Sequence, residues 1–248
     1  MDFNWKKPSH LLALLLLLVS ILFLFISSIL TYFQPFPSTS ELNQYTGLLR
    51  LYLEIFTVFF SLLIVFCLMV FIPMVWYYLV NHFRLRDMLE RLNLRKEGLS
   101  QTFLWGTITA VAALIITVLV DMLLLQLGYD TTQMSNITAL ESLFSFPTLV
   151  ALVTIQPIAE EFFFRGFLLD KISSVAGVKV GVLSTAVLFG IAHLSYGMLY
   201  TSVMAGILGL LFAIVVIKTK NLYSAIVAHV LVNATSIAIY FWGKSLGL

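Results

Sequence analysis

Residues 149–169 read LVALVTIQPIAEEFFFRGFLL, and the fold turns on the middle of that run, QPIAEEFFFRG (156–166). Its Leu, Ile, Val and Phe residues favour insertion into lipid by about 5 kcal/mol, at roughly 0.3–0.6 kcal/mol each. Glu160, Glu161 and Arg165 oppose insertion by about 9 kcal/mol, at roughly 2.5–3.5 kcal/mol each near the bilayer centre. The run is a poor lone spanning helix. It becomes tolerable when its charges pair and face other helices or a wet cavity. Glu161 and Arg165 are four apart, so they share a helical face and pair. Glu160 is turned about 100° away, where its own segment offers no partner. A carboxylate so placed is a candidate for chemistry.

The rest of the chain agrees with a membrane setting. It has 248 residues, of which 60% are hydrophobic and 10% charged. Its mean hydropathy is +1.02. A soluble domain of this size needs far more surface charge. The fold class is therefore all-α, a polytopic helical membrane bundle whose surroundings are membrane lipids. The net charge of +2 does not imply nucleic acid as a partner, because the basic residues are spread along the chain. The single cysteine, Cys67, excludes an internal disulfide and a Cys-based zinc site, and is expected to be a small buried hydrophobe.

Seven apolar runs are long enough to span: 11–33, 51–80, 103–127, 148–169, 180–195, 198–217 and 222–242. An eighth would come from splitting 51–80 at Pro73 or from the 128–146 connection. The first run follows Lys6 and Lys7 as a signal peptide would. Its length and the lack of an A-x-A-like site make it an anchor that stays. With a cytoplasmic N-terminus, the inner segments hold eleven basic residues: Lys6, Lys7, Arg84, Arg86, Arg91, Arg95, Lys96, Lys171, Lys179, Lys218 and Lys220. The outer segments hold Arg50 and Lys244. That bias orients an integral protein of the cell membrane with its N-terminus in the cytoplasm. Segment 82–97, with Leu85, Leu89 and Leu92 at helical spacing, reads as a short amphipathic helix on the inner surface. The chain divides into N-terminal spans with this segment, 1–147, and a catalytic core, 148–242. The sequon Asn136-Ile137-Thr138 falls on the outer side and carries little weight.

Two further runs bear polar residues. "FGIAH" (189–193) carries His193, and "AHVLVN" (228–233) carries His229 and Asn233 on one helical face. By helix rise, Glu160 lies about 15 Å, His193 about 20 Å, His229 about 10 Å and Asn233 about 16 Å from the inner boundary. One carboxylate, two imidazoles and an amide can meet at one level. A single intramembrane His or Asn is more often an interhelical hydrogen bond; four such groups beside an unpaired Glu favour function. Glu54 and Asp121, near outer ends, read as interfacial or interhelical residues without chemistry. His10 and His82 occupy snorkelling positions at inner boundaries.

"EEFFFRG", "FGIAH" and "HVLVN" fit E-E-x-x-x-R, F-x-x-x-H and H-x-x-x-N, in that order on separate helices. In this the chain, over about 148–242, resembles the CPBP family of intramembrane proteases. That family includes CAAX prenyl endopeptidases of the Rce1 type and bacteriocin-processing or self-immunity proteins. The resemblance implies Glu160 as the base that activates water, His193 as a second holder of that water, and His229 with Asn233 as oxyanion donors. The residues themselves suit those roles. Glu161 and Arg165 then brace the helix. The implied activity is endopeptidase cleavage near the cytoplasmic leaflet, most simply CAAX-type processing of a prenylated protein. Its alternative is bacteriocin maturation or self-immunity on an unlipidated peptide. One Glu and two His also form a catalytic zinc set, so zinc on Glu160, His193 and His229 and a metal-free glutamate route both stay open. A non-catalytic scaffold and a proton-coupled transporter are the readings from other classes. Nothing in the sequence gives an oligomeric state.

Overall fold

The computed structural model describes residues 3–33, 45–129, 140–141 and 143–247. Among them are seven helices long and apolar enough to cross a membrane: Pro8–Tyr32, Gly47–Asn81, Leu99–Gln126, Phe146–Ala176, Val178–Ser195, Leu199–Thr219 and Tyr223–Ser245. The second does not split at Pro73. It passes through a π-helical turn, Cys67–Phe71, that accommodates the proline at the start of the next stretch, Ile72–Asn81. Residues 130–139, with the sequon, lie outside the described residues.

Close approach between the later spans depends on small residues. A Cβ on Gly106 would sit 2.8 Å from the Ser224 carbonyl oxygen, so the backbones of the third and seventh spans meet closely there. Gly190 meets Ser202 and Gly206 in the same way, and Ser202 Oγ donates to the Gly190 carbonyl at 2.7 Å. Without a hydrophobic drive between helices in lipid, such contacts and hydrogen bonds hold the spans together. These two crossings align the helices that carry His193 and His229. Residues on both sides of 147/148 pack together: Phe25, Trp76, Tyr77 and Phe163 share one core. Ser28 Oγ also donates to the Ala192 carbonyl at 2.9 Å.

Each end of the bundle is stitched by polar contacts. At one end Arg91 pairs with Asp170 at 2.7 Å, Asn221 Nδ2 donates to the Arg95 carbonyl at 2.9 Å, and Leu222 N–H donates to the Asn93 carbonyl at 2.8 Å. The basic loops thus gather at this end. At the other, buried Glu54 accepts from Arg50 Nε at 3.0 Å and Ser145 N–H at 2.8 Å, and Tyr240 donates to Glu141 at 2.7 Å. Glu54 is the interhelical residue its position suggested.

Three expectations change. The helix in 82–97 is confined to Leu85–Arg91, and it docks through Met88 and Leu92 while Leu85 and Leu89 stay exposed. Leu92 reaches the bundle because Gly166 has no Cβ to block it; one would lie 2.9 Å from Leu92 Cδ2. His10 does not snorkel. It is buried, with Nδ1 accepting the Asn4 N–H at 2.9 Å and its ring against Phe3. Cys67 is exposed on the bundle's outer face, where lipid takes the place of a protein core.

Gly106→Val should force the third and seventh spans apart. Overpacking of this kind costs about 1–3 kcal/mol, so thermal unfolding in detergent should move to lower temperature, whereas Gly243→Ala, in open space, should leave it in place.

Candidate active site

The fourth span changes character at the charged motif. Its α-helical part ends at Glu161, and a π-helix runs over Phe162–Leu168, every residue of it buried. Such π turns inside α-helices are frequent at functional sites. Arg165 Nη1 donates to Glu161 Oε1 at 2.9 Å, with both side chains 0% exposed. This is the pairing that the i, i+4 spacing predicts.

His229 joins the pair. Its Nδ1 lies 2.8 Å from the same Glu161 Oε1. A carboxylate oxygen accepts, so Nδ1 carries the hydrogen. That turns Nε2 toward Glu160, 3.8 Å from Oε2. The gap exceeds a direct hydrogen bond and suits a bridging water. Glu160 is not without a local partner as its sequence context suggested: Gln156 Nε2 donates to Glu160 Oε1 at 2.6 Å. Gln156 stands one helical turn before Glu160, a spacing visible in the quoted motif.

The Arg165 guanidinium is held between aromatic faces, 4.1 Å from the Phe189 centroid, 5.5 Å from Phe212 and 5.7 Å from Phe164. Its Nε and Nη2 have no hydrogen-bond partner among the described residues. Cation–π attraction compensates in part. Gly209 makes the room, since a Cβ there would meet Nη2 at 2.8 Å. Phe212 also stacks on His229, with centroids 5.1 Å apart. Sequence reading did not find Phe212 or Gly209, because neither has a signal until the sixth span is packed against the fourth.

His193 begins a 3-10 turn, His193–Tyr196, directly after the fifth span's α-helix ends at Ala192. Its Nδ1 lies 2.8 Å from the Phe189 carbonyl, so this nitrogen too is the donor. Phe189, the first residue of F-x-x-x-H, therefore orients His193 with its backbone and cradles Arg165 with its ring.

Glu160, His193, His229 and Asn233 all line one cavity of about 410 Å³. Glu161 and Arg165 do not line it and lie buried behind its wall. No group of three or more His, Cys, Asp or Glu side chains among the described residues has the geometry to hold a metal ion. Glu160, His193 and His229 share a cavity but do not close around an ion, so the donor set does not fit zinc as it stands.

The cavity has a direction. Its lining runs from Glu160, Phe189, Phe212 and His229 to Leu149, Asp121, Tyr200 and Ile239. Those last four belong to the helix ends opposite the basic loops. Glu160 is about 15 Å by helix rise from the Asp170–Lys171 boundary, as its sequence position implies. Toward the basic end, Arg165 and the buried π-helix fill the space.

Residues 142–235 match a family model described as type II CAAX prenyl endopeptidase Rce1-like, a stretch that contains all three motifs. No curated protein and no solved structure matches the chain.

Arg165→Leu should strip the ion pair and leave Glu161 buried and uncompensated. Loss of one partner of a buried pair costs about 3–5 kcal/mol. Thermal unfolding should therefore fall well below wild type. Glu160→Gln, which lines open space and keeps its shape, should unfold at the wild-type temperature.

Proposed function

We propose that this integral membrane protein, which carries an Rce1-like domain of the CPBP type over residues 142–235, is an intramembrane endopeptidase whose base is Glu160. The observation that carries the reading is the shared wall: Glu160, His193, His229 and Asn233 face one cavity while Glu161 and Arg165 stay behind it. A non-catalytic scaffold has no need of such convergence.

Peptide hydrolysis needs a water made nucleophilic and a place for the oxyanion. Water between Glu160 Oε2 and His229 Nε2 touches two acceptors across their 3.8 Å separation. Glu160 takes a proton as the oxygen attacks the carbonyl carbon. The same carboxyl returns it to the leaving amine. Gln156 steadies the other carboxylate oxygen. His229 has committed its Nδ1–H to Glu161, so it donates only through Nε2, and only when that nitrogen is protonated. That leaves Asn233, whose amide always offers N–H, as the principal oxyanion donor. His193 is held by its own Nδ1–H and presents its far edge to the cavity. The proposed route is the metal-free one, supported by a donor set that does not close around an ion.

The family description favours a prenylated CAAX-type C-terminus as substrate, and the cavity's mostly apolar wall suits an isoprenoid chain. A second reading, maturation or immunity-type cleavage of an unlipidated peptide, is favoured by a cavity wall that reaches Asp121, Tyr200 and Ile239 at the helix ends opposite the basic loops. With those loops in the cytoplasm, that is the outer side.

Glu160→Gln in lipid should lose all cleavage, and wild-type protein stripped of metal should keep its turnover. Residual activity in the variant would sink the assignment of the base; turnover that stops on stripping and returns with zinc would reinstate the metal. A farnesylated peptide should be cut faster than its unlipidated twin under the CAAX reading. Equal rates, with Ser236→Cys labelled by an impermeant maleimide only from outside intact cells, would establish the second.

A further inference from the structure

Asp121 is a membrane-embedded carboxylate that the proposed chemistry does not use. It sits in the third span on a stripe with Leu114, Thr117 and Val118, all of which face the cavity. The Tyr200 hydroxyl donates to Asp121 Oδ1. No lysine or arginine pairs with Asp121 among the described residues, and none lines the cavity. Glu54 has Arg50 and Glu161 has Arg165, whereas Glu160, the proposed base, and Asp121 have neither cation among the described residues. An intramembrane carboxylate left without a cation is costly, and such residues mark substrate pathways.

We propose that Asp121, steadied by Tyr200, is a specificity subsite that binds a lysine or arginine side chain of the peptide substrate at the mouth of the cavity. The proposal rests on the endopeptidase reading above. The geometry also sets the register. Asp121 lies about 10 Å beyond Leu114 along its helix, and Tyr200 about 18 Å beyond Phe212 along its own, at 1.5 Å per residue. An extended peptide advances about 3.3 Å per residue. A basic side chain at Asp121 therefore lies about three to five residues from the bond held at Glu160. With the carboxyl groups of Asp121 and Glu160 on the wall and no lysine or arginine there, the cavity favours basic over acidic peptides.

The test uses the full chain in lipid and a peptide that it cleaves, made with Lys, Gln or Glu at each position two to six residues from the cut. Wild type should prefer Lys over Gln by about tenfold or more in kcat/KM at one register within three to five, and reject Glu there. Asp121→Asn should bring the Lys peptide down to the Gln level. Asp121→Lys should reverse the order of Lys and Glu. Equal cleavage of Lys and Gln peptides by wild type at every register overturns the proposal without any variant, as does a Lys preference that survives in Asp121→Asn. N-acetylation separates the side chain from a free amino terminus: a preference abolished by acetylation alone assigns the cation to the terminus and overturns the side-chain subsite. Binding of the same peptides to the Glu160→Gln chain is measured in parallel. Cleavage that survives in the Glu160→Gln chain, beside a Lys preference in binding, would sink the Glu160 protease reading and leave the cation subsite standing.

Discussion

Two charges that cannot reach water, Glu161 and Arg165, govern the rest of this structure. Each alone would be ruinous within the bundle. Together they are tolerable only because the surroundings complete them: a 2.9 Å hydrogen bond between them, the His229 Nδ1–H on the same oxygen, and the faces of Phe189 and Phe212 on the guanidinium. Satisfying Arg165 thus calls on the fifth and sixth spans, and satisfying Glu161 calls on the seventh. The pair acts as a hub that draws four helices to one point. It does so beside Glu160 rather than at it, so Glu160 stays on the cavity wall.

That division ties stability to chemistry. The π-helix after Glu161 buries Phe162, Phe163, Phe164 and Phe167 and fills the side toward the basic loops. The cavity lies on the other side, its wall reaching Asp121, Tyr200 and Ile239. Asn233, Gln156 and the Asp121–Tyr200 pair line it, so its wall is not unrelieved hydrocarbon. In lipid that matters, because every unsatisfied peptide group costs several kcal/mol.

Small residues make the arrangement possible. Gly209 gives Arg165 its place, Gly190 and Gly206 let the fifth and sixth spans meet, and Gly106 admits the seventh against the third. Gly166 does the same for Leu92, which anchors the amphipathic segment onto the fourth span. A side chain at any of these would displace a helix that carries a site residue, so the precision of the Glu160–His229 spacing is set by contacts well away from it.

The sequence by itself determined the helical membrane class, the seven spans, the i, i+4 pairing of Glu161 with Arg165, and the four polar residues of the cavity. All of these follow from local rules: apolar run length, helical periodicity, and the high cost of charge in hydrocarbon. It also held the Gln156–Glu160 spacing, which the same rule makes legible. Only the tertiary structure decided that His229 gives its Nδ1–H to Glu161, that Phe189, Phe212 and Gly209 form the arginine's cradle, that His10 is buried, and that Leu92 rather than Leu85 docks the amphipathic helix. Those facts depend on how helices are rotated and staggered against one another. The direction of the cavity belongs with them. Depth along one helix can be counted in residues, but which end of a bundle is packed shut depends on the volumes that all seven helices bring to each level.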